Sequence, residues 1–119
     1  MIRIARLTLA LSTAAALLSG CAGMITGGPL IRPGEPTGVI SVVNQTRQPL
    51  GVVLISDCNA STYGLNRLPD GVSIPQGRSY QFQVSAGCWD VAAGAMGVGD
   101  AKQRMNVVAG GTSRYTVTQ

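Results

Sequence analysis

Histidine is absent from the 119 residues, phenylalanine and tryptophan occur once each, and only 12% of positions carry charge. Each shortage removes a class of function. Without imidazole the chain lacks the commonest general base near neutral pH and the commonest metal ligand. The acids Glu35, Asp57, Asp70, Asp90 and Asp100 are dispersed, and no pair stands at the spacing of a two-carboxylate glycosidase. Asp57 and Asp90 each adjoin a cysteine, which leaves one spatial pairing open. No Gly-x-Ser-x-Gly elbow occurs, and a cysteine nucleophile would have no histidine partner. Gly94, Gly97 and Gly99 have no following helix to make them a phosphate loop, so they read as a turn. The expectation is a protein that is not an enzyme and takes no cofactor or metal.

Charge is equally uninformative about polyanions. The formal net charge is +4, and leaving out Arg3 and Arg6 at the N-terminus reduces it to +2. Arg32, Arg47, Arg67, Arg78, Lys102, Arg104 and Arg114 are scattered rather than clustered, so no nucleic-acid footprint is expected.

What is present begins at the N-terminus. Arg3 and Arg6 precede an apolar run over residues 7–18, and small residues follow it. About a dozen apolar residues fall short of the roughly 20 that cross a bilayer as a helix, so the run reads as the h-region of a secretory signal. It ends in Leu18-Ser19-Gly20-Cys21. These residues resemble the lipobox of bacterial lipoproteins, and the resemblance covers about the first 21 positions. It implies removal of residues 1–20, a diacylglycerol thioether on Cys21, often a further acyl chain on the freed amine, and partnership with a membrane. Two or more acyl chains anchor stably where one is marginal. Ala22 is not the aspartate that in this family marks inner-membrane retention, which implies the outer membrane, periplasmic face.

If Cys21 carries lipid, Cys58 and Cys88 remain as an even pair in an oxidising compartment, where a disulfide persists. The alternative is two buried thiols acting as small hydrophobes. Residues 22–37 hold Gly23, Gly27, Gly28, Pro29, Pro33, Gly34 and Pro36, a density that sustains neither helix nor central strand. Residues 21–37 are therefore expected to be a lipidated N-terminus with a flexible linker, about 22 Å long as a coil, from which the domain tumbles freely.

From residue 38 to 119 short β-branched runs alternate with turns. Residues 39–43 and 51–55 are almost wholly apolar and read as a hairpin joined by the polar residues 44–49. Residues 59–71 form the longest irregular piece. Loops of that length are functional or stapled, and Tyr63, Asn66 and Arg67 are its candidate binding residues. Residues 72–74 suggest a short edge strand, and Ile74-Pro75-Gln76-Gly77 a type I turn. Tyr80, Phe82 and Val84 alternate with Ser79, Gln81, Gln83 and Ser85 as in a half-solvated strand. Ala86-Gly87 turns the chain into a strand bearing Trp89, Val91 and Ala93, so the lone phenylalanine and tryptophan are expected on adjacent strands. Residues 103–108, a tight turn at Ala109-Gly110-Gly111 and residues 113–119 complete the chain. The fold expected is all-β: a small antiparallel β-sandwich, immunoglobulin-like or transthyretin-like, of six to seven strands. Gly87-Cys88-Trp89-Asp90-Val91 resembles a turn found in small exported bacterial β domains. The function expected is a non-catalytic interaction or structural module of the envelope with a protein partner. The alternatives are an inhibitor of a host or competitor hydrolase such as a lysozyme or protease, and an accessory lipoprotein of a secretion or envelope complex.

Overall fold

In the computed structural model, which describes residues 28–60, 64–95 and 99–118, six strands form two three-stranded sheets. Among the described residues there is no helix. The strands are β1 (Thr37–Gln45), β2 (Val52–Asp57), β3 (Ser79–Ser85), β4 (Gly87–Ala95), β5 (Gly99–Val107) and β6 (Thr112–Thr118). One sheet has the order β3-β1-β6 and the other β2-β4-β5. The fold is thus an all-β sandwich.

The two-residue period of the strands explains the layers. Ile40 and Val42 of β1, Phe82 and Val84 of β3 and Tyr115 and Val117 of β6 are buried. They meet Val53 and Ile55 of β2, Trp89, Val91 and Ala93 of β4 and Met105 and Val107 of β5 in one core. Burying a side chain of Val or Ile size stabilises by roughly 1.5–3 kcal/mol, which makes the alternation the main force holding the sheets face to face. Tyr80 and Phe82, two residues apart on β3, pack as a tilted pair with ring centroids 4.9 Å apart and ring planes at 48°.

Three connectivities differ from the sequence expectation. First, the sandwich is not purely antiparallel, because β1 and β6 pair in parallel with Val42 opposite Tyr115. Second, β1 and β2 are not a hairpin. Both edges of β1 are already taken, by β3 and β6, so β2 leaves for the other sheet. Asn44 shapes that departure: wholly buried, it donates from Nδ2 to the carbonyls of Gln48 and Ile74 and accepts at Oδ1 from the Thr46 amide and hydroxyl. Third, β3 and β4 lie in different sheets, so Phe82 and Trp89 share the core rather than a ladder. The place beside the end of β3 is occupied, since Leu30 O accepts the Ser85 amide and Pro36 O the Ala86 amide.

The turns follow their residues. At Pro75–Arg78 the Arg78 amide donates to Pro75 O, with Gly77 at φ 78°. A positive φ at the third position belongs to a type II turn, one residue later than the type I turn expected. The tight turn before β6 closes with Gly111 N to Val108 O. It presses on Gly38: a Cβ there would lie 2.5 Å from Val107 Cγ1 and 2.6 Å from Val108 O. Only glycine lets β1 and the β5–β6 corner come that close.

The side between the edges of β2 and β3 is closed by irregular chain. Leu68 and Ile74 are buried there, and Leu50 bridges Ile74.

Candidate functional site

Cys58 follows the last residue of β2 and Cys88 is the second of β4, and these strands are antiparallel neighbours. With Asp57 opposite Trp89, the next step places Cys58 opposite Cys88, and a disulfide joins them across 5.6 Å between Cα atoms. The bond staples one end of a single sheet and does not cross the core. Asp57 shapes the turn behind it, accepting the Asn59 amide at Oδ1 and the Ala60 amide at its carbonyl.

Beside the staple the N-terminal segment docks. Residues 28–36, expected as part of a free linker, form a strap across this end of the sandwich. Glycine and proline exclude regular structure, and side-chain and backbone bonds hold the segment instead. Arg32 is its centre. Its guanidinium lies over the Trp89 ring, 5.1 Å from the centroid, with Nη1 3.0 Å from Asp57 Oδ2 and Nε 2.6 Å from Glu35 Oε2. Its amide donates to Ser85 Oγ at 2.7 Å. Buried Ser85 links the parts, because its amide donates to Leu30 O and its carbonyl accepts Trp89 Nε1 at 2.8 Å. Leu30 packs against the core. The indole thus has its one donor satisfied while its face receives a cation, the arrangement that suits a buried tryptophan.

Asn66 and Arg67, the described members of the expected binding loop, serve the free edge of β2. Asn66 Oδ1 accepts from the amides of Val53 and Leu68, and its Nδ2 donates to Gly51 O. The Arg67 amide donates to Val53 O. Its guanidinium donates to Ile55 O through Nε and Nη2 and to Gly28 O at 2.6 Å through Nη2. Burial lowers the Arg67 pKa from its ordinary value by desolvation. An uncovered edge is a template for pairing with another chain, and these two residues occupy it. Tyr63, Cys21 and residues 1–20, the expected signal peptide, lie outside the described residues.

Asp57 and Asp90, the spatial pairing that the sequence left open, are not brought together. Asp57 shares a sheet face with Trp89 and is held by Arg32, whereas Asp90 is on the opposite face, forked with Arg104 at 2.9 and 3.1 Å. Among the described residues no group of three His, Cys, Asp or Glu is placed to hold a metal ion. No described helix is long and apolar enough to cross a membrane.

A second feature is a shallow groove of ≈ 330 Å³ on the outer face of the β3-β1-β6 sheet, lined by Thr37, Gly38, Val39, Gln81, Gln83 and the turn into Thr112. Its polar groups are uncharged, and Gln83 Nε2 donates to Thr37 Oγ1 at 3.0 Å. The strap residue Arg32, the hub Ser85 and the buried Asn44 were not singled out by sequence reasoning. The only signal for Arg32 was a lone cation inside a Gly/Pro stretch.

No family model matches this chain, and no curated protein matches it. The fold and site therefore define a class only: a disulfide-stapled, six-stranded β-sandwich with a docked N-terminal strap.

Proposed function

We propose that this chain is a lipid-anchored protein of the bacterial cell envelope, acting as a non-catalytic interaction module on the periplasmic face of the outer membrane. The observation that carries the reading is the cysteine inventory. Cys58 and Cys88 are joined, which leaves Cys21 as the odd thiol, and it stands directly after Leu18-Ser19-Gly20 and an apolar leader. An odd cysteine in an exported chain needs a chemical role, and thioether lipidation supplies one. A sandwich whose acidic groups near the staple are engaged in ion pairs offers surfaces rather than reactive groups. An accessory role in a secretion or envelope complex is one form of this reading. The inhibitor reading is weakened, because Asn66 and Arg67 spend their polar groups on β2.

The test is mass spectrometry of the mature protein from membranes of a bacterial host. The expected result is an N-terminus at Cys21 carrying acyl mass, with Cys21→Ser releasing the protein from the membrane. Retention of Met1 on the native protein, or no acyl mass on Cys21, overturns the reading.

A further inference from the structure

Three of the four outer strands of this sandwich have an edge that is covered or defended. Asn66 and Arg67 occupy the edge of β2, and Leu30 O takes the Ser85 amide at the end of β3. β5 carries the exposed cations Lys102 and Arg104, the kind of charge that discourages an edge from pairing. β6 is different. It is the outer strand of the β3-β1-β6 sheet, and among the described residues no strand pairs with its far side. Its residues Thr-Ser-Arg-Tyr-Thr-Val-Thr include no proline, glycine or lysine, and threonine, tyrosine and valine all favour strands.

The register identifies the open groups. Val39 N donates to Gly111 O, and Val39 stands opposite Thr112. In a parallel ladder alternate residues bond the neighbouring strand and those between them point the other way. Ser113, Tyr115 and Val117 therefore turn their amides and carbonyls to β1, whereas Thr112, Arg114, Thr116 and Thr118 turn theirs outward. The side chains of the same four residues are exposed.

We infer that this edge pairs with β6 of a second copy of the chain, antiparallel about Tyr115, so that two three-stranded sheets join in the order β3-β1-β6-β6-β1-β3. The strand's own residues select that occupant. With Tyr115 on the two-fold axis, Thr112 faces the second copy's Thr118 and Arg114 faces the second copy's Thr116. All four open residues are used, and each pair exchanges two backbone hydrogen bonds. Threonine pairs across strands are favourable, and like charges directly opposite are not. Sliding by two residues one way sets Arg114 against the second copy's Arg114, and sliding the other way leaves Thr112 unpaired. One register thus satisfies backbone and charge together, as a self-complementary two-fold contact requires. The pairing uses no group of the N-terminus and stands apart from the lipidation of Cys21.

The experiment places a photoreactive benzophenone amino acid at Thr112, Thr118 or Gln81 of the full chain and irradiates intact bacteria that express it. Gln81 is an exposed residue of β3, two strands from β6 in the same sheet. The expected result is cross-linked dimers from Thr112 and Thr118, mapped by mass spectrometry to residues 112–118 of the second copy, and several-fold fewer from Gln81. Thr116→Lys sets a lysine opposite Arg114 and should lower the dimer yield several-fold. Adding Arg114→Glu makes that pair opposite in sign and should restore the yield, which a merely damaged strand would not do. Both positions are exposed, so the variants keep the fold, and Trp89 fluorescence checks it. Absence of dimers from Thr112 and Thr118, adducts to another protein or to another part of the second copy, or equal yields at all three positions overturn the inference. So does a yield that Thr116→Lys leaves unchanged or that Arg114→Glu fails to restore.

Discussion

Arg32 lies across the indole of Trp89, its Cζ 5.1 Å from the ring centroid, and so joins a segment with no regular structure to the most deeply buried large side chain of the core. The contact is reinforced by Asp57 and Glu35, and its removal should be felt in the strap before the sandwich. Arg32→Ala is expected to lower stability by about 1–2 kcal/mol, since the ion pairs are partly solvent-screened. Limited proteolysis should then cut within residues 28–36, and Arg32→Lys should restore protection only in part, because ammonium does not reproduce the fork.

Reduction of the Cys58–Cys88 bond should destabilise the domain strongly. With a sequence separation of 30, closing the loop contributes roughly 3.5 kcal/mol in the chain-entropy model. At about 4–8 °C per kcal/mol for a domain this small, the expected fall in Tm is roughly 15–25 °C. Calorimetry with and without reductant measures it, and a shift of only a few degrees would contradict the entropic account.

Gly38→Ala should be among the costliest single-methyl additions, at about 2–4 kcal/mol, because the new Cβ meets Val107 and the backbone of Val108 and Gly111. Gly51→Ala is the matched control: its Cβ meets nothing within 4 Å, so denaturant midpoints should stay within about 0.5 kcal/mol of the parent.

Asn66→Ala should uncover the edge of β2. Three hydrogen bonds are lost, for a cost of about 1–3 kcal/mol. The Val53 amide should exchange faster with deuterium, and light scattering should report association through the bared strand. Unchanged exchange at Val53 would show that the edge is covered by something else.

Asn44→Leu keeps the branching and heavy-atom count of the side chain but removes the donors and acceptors that hold Gln48, Ile74 and Thr46. Gln48 O keeps the Thr46 hydroxyl and Ile74 O the Leu50 amide, but the buried Thr46 amide loses its acceptor, at about 1–3 kcal/mol, so the variant should melt below the parent in a circular-dichroism scan.

Much of the strand inventory was legible in the residues. Tyr80, Phe82 and Val84 announced β3, and Ala109-Gly110-Gly111 announced its turn, because period and turn chemistry are local. Partner choice was not local. The apolar residues 39–43 and 51–55 looked like two arms of one hairpin, yet β1 was claimed on both edges by strands that begin 42 and 75 residues after it does. Asn66 and Arg67 looked like binding residues for a similar reason. A polar loop residue that satisfies a strand edge and one that meets a ligand read alike until the edge is in view.

By itself, the order of residues determined the β character, the pair of cysteines available for a staple, the poverty of reactive groups and the apolar run that precedes Cys21. Only the folded chain decided that the ends of the domain run parallel in one sheet, that the staple lies within a sheet, and that Arg32 binds the strap to Trp89. The reason is range. Periodicity and turn preference act over a few residues, whereas strand partnership and cation placement depend on which distant groups compete for the same edge or ring.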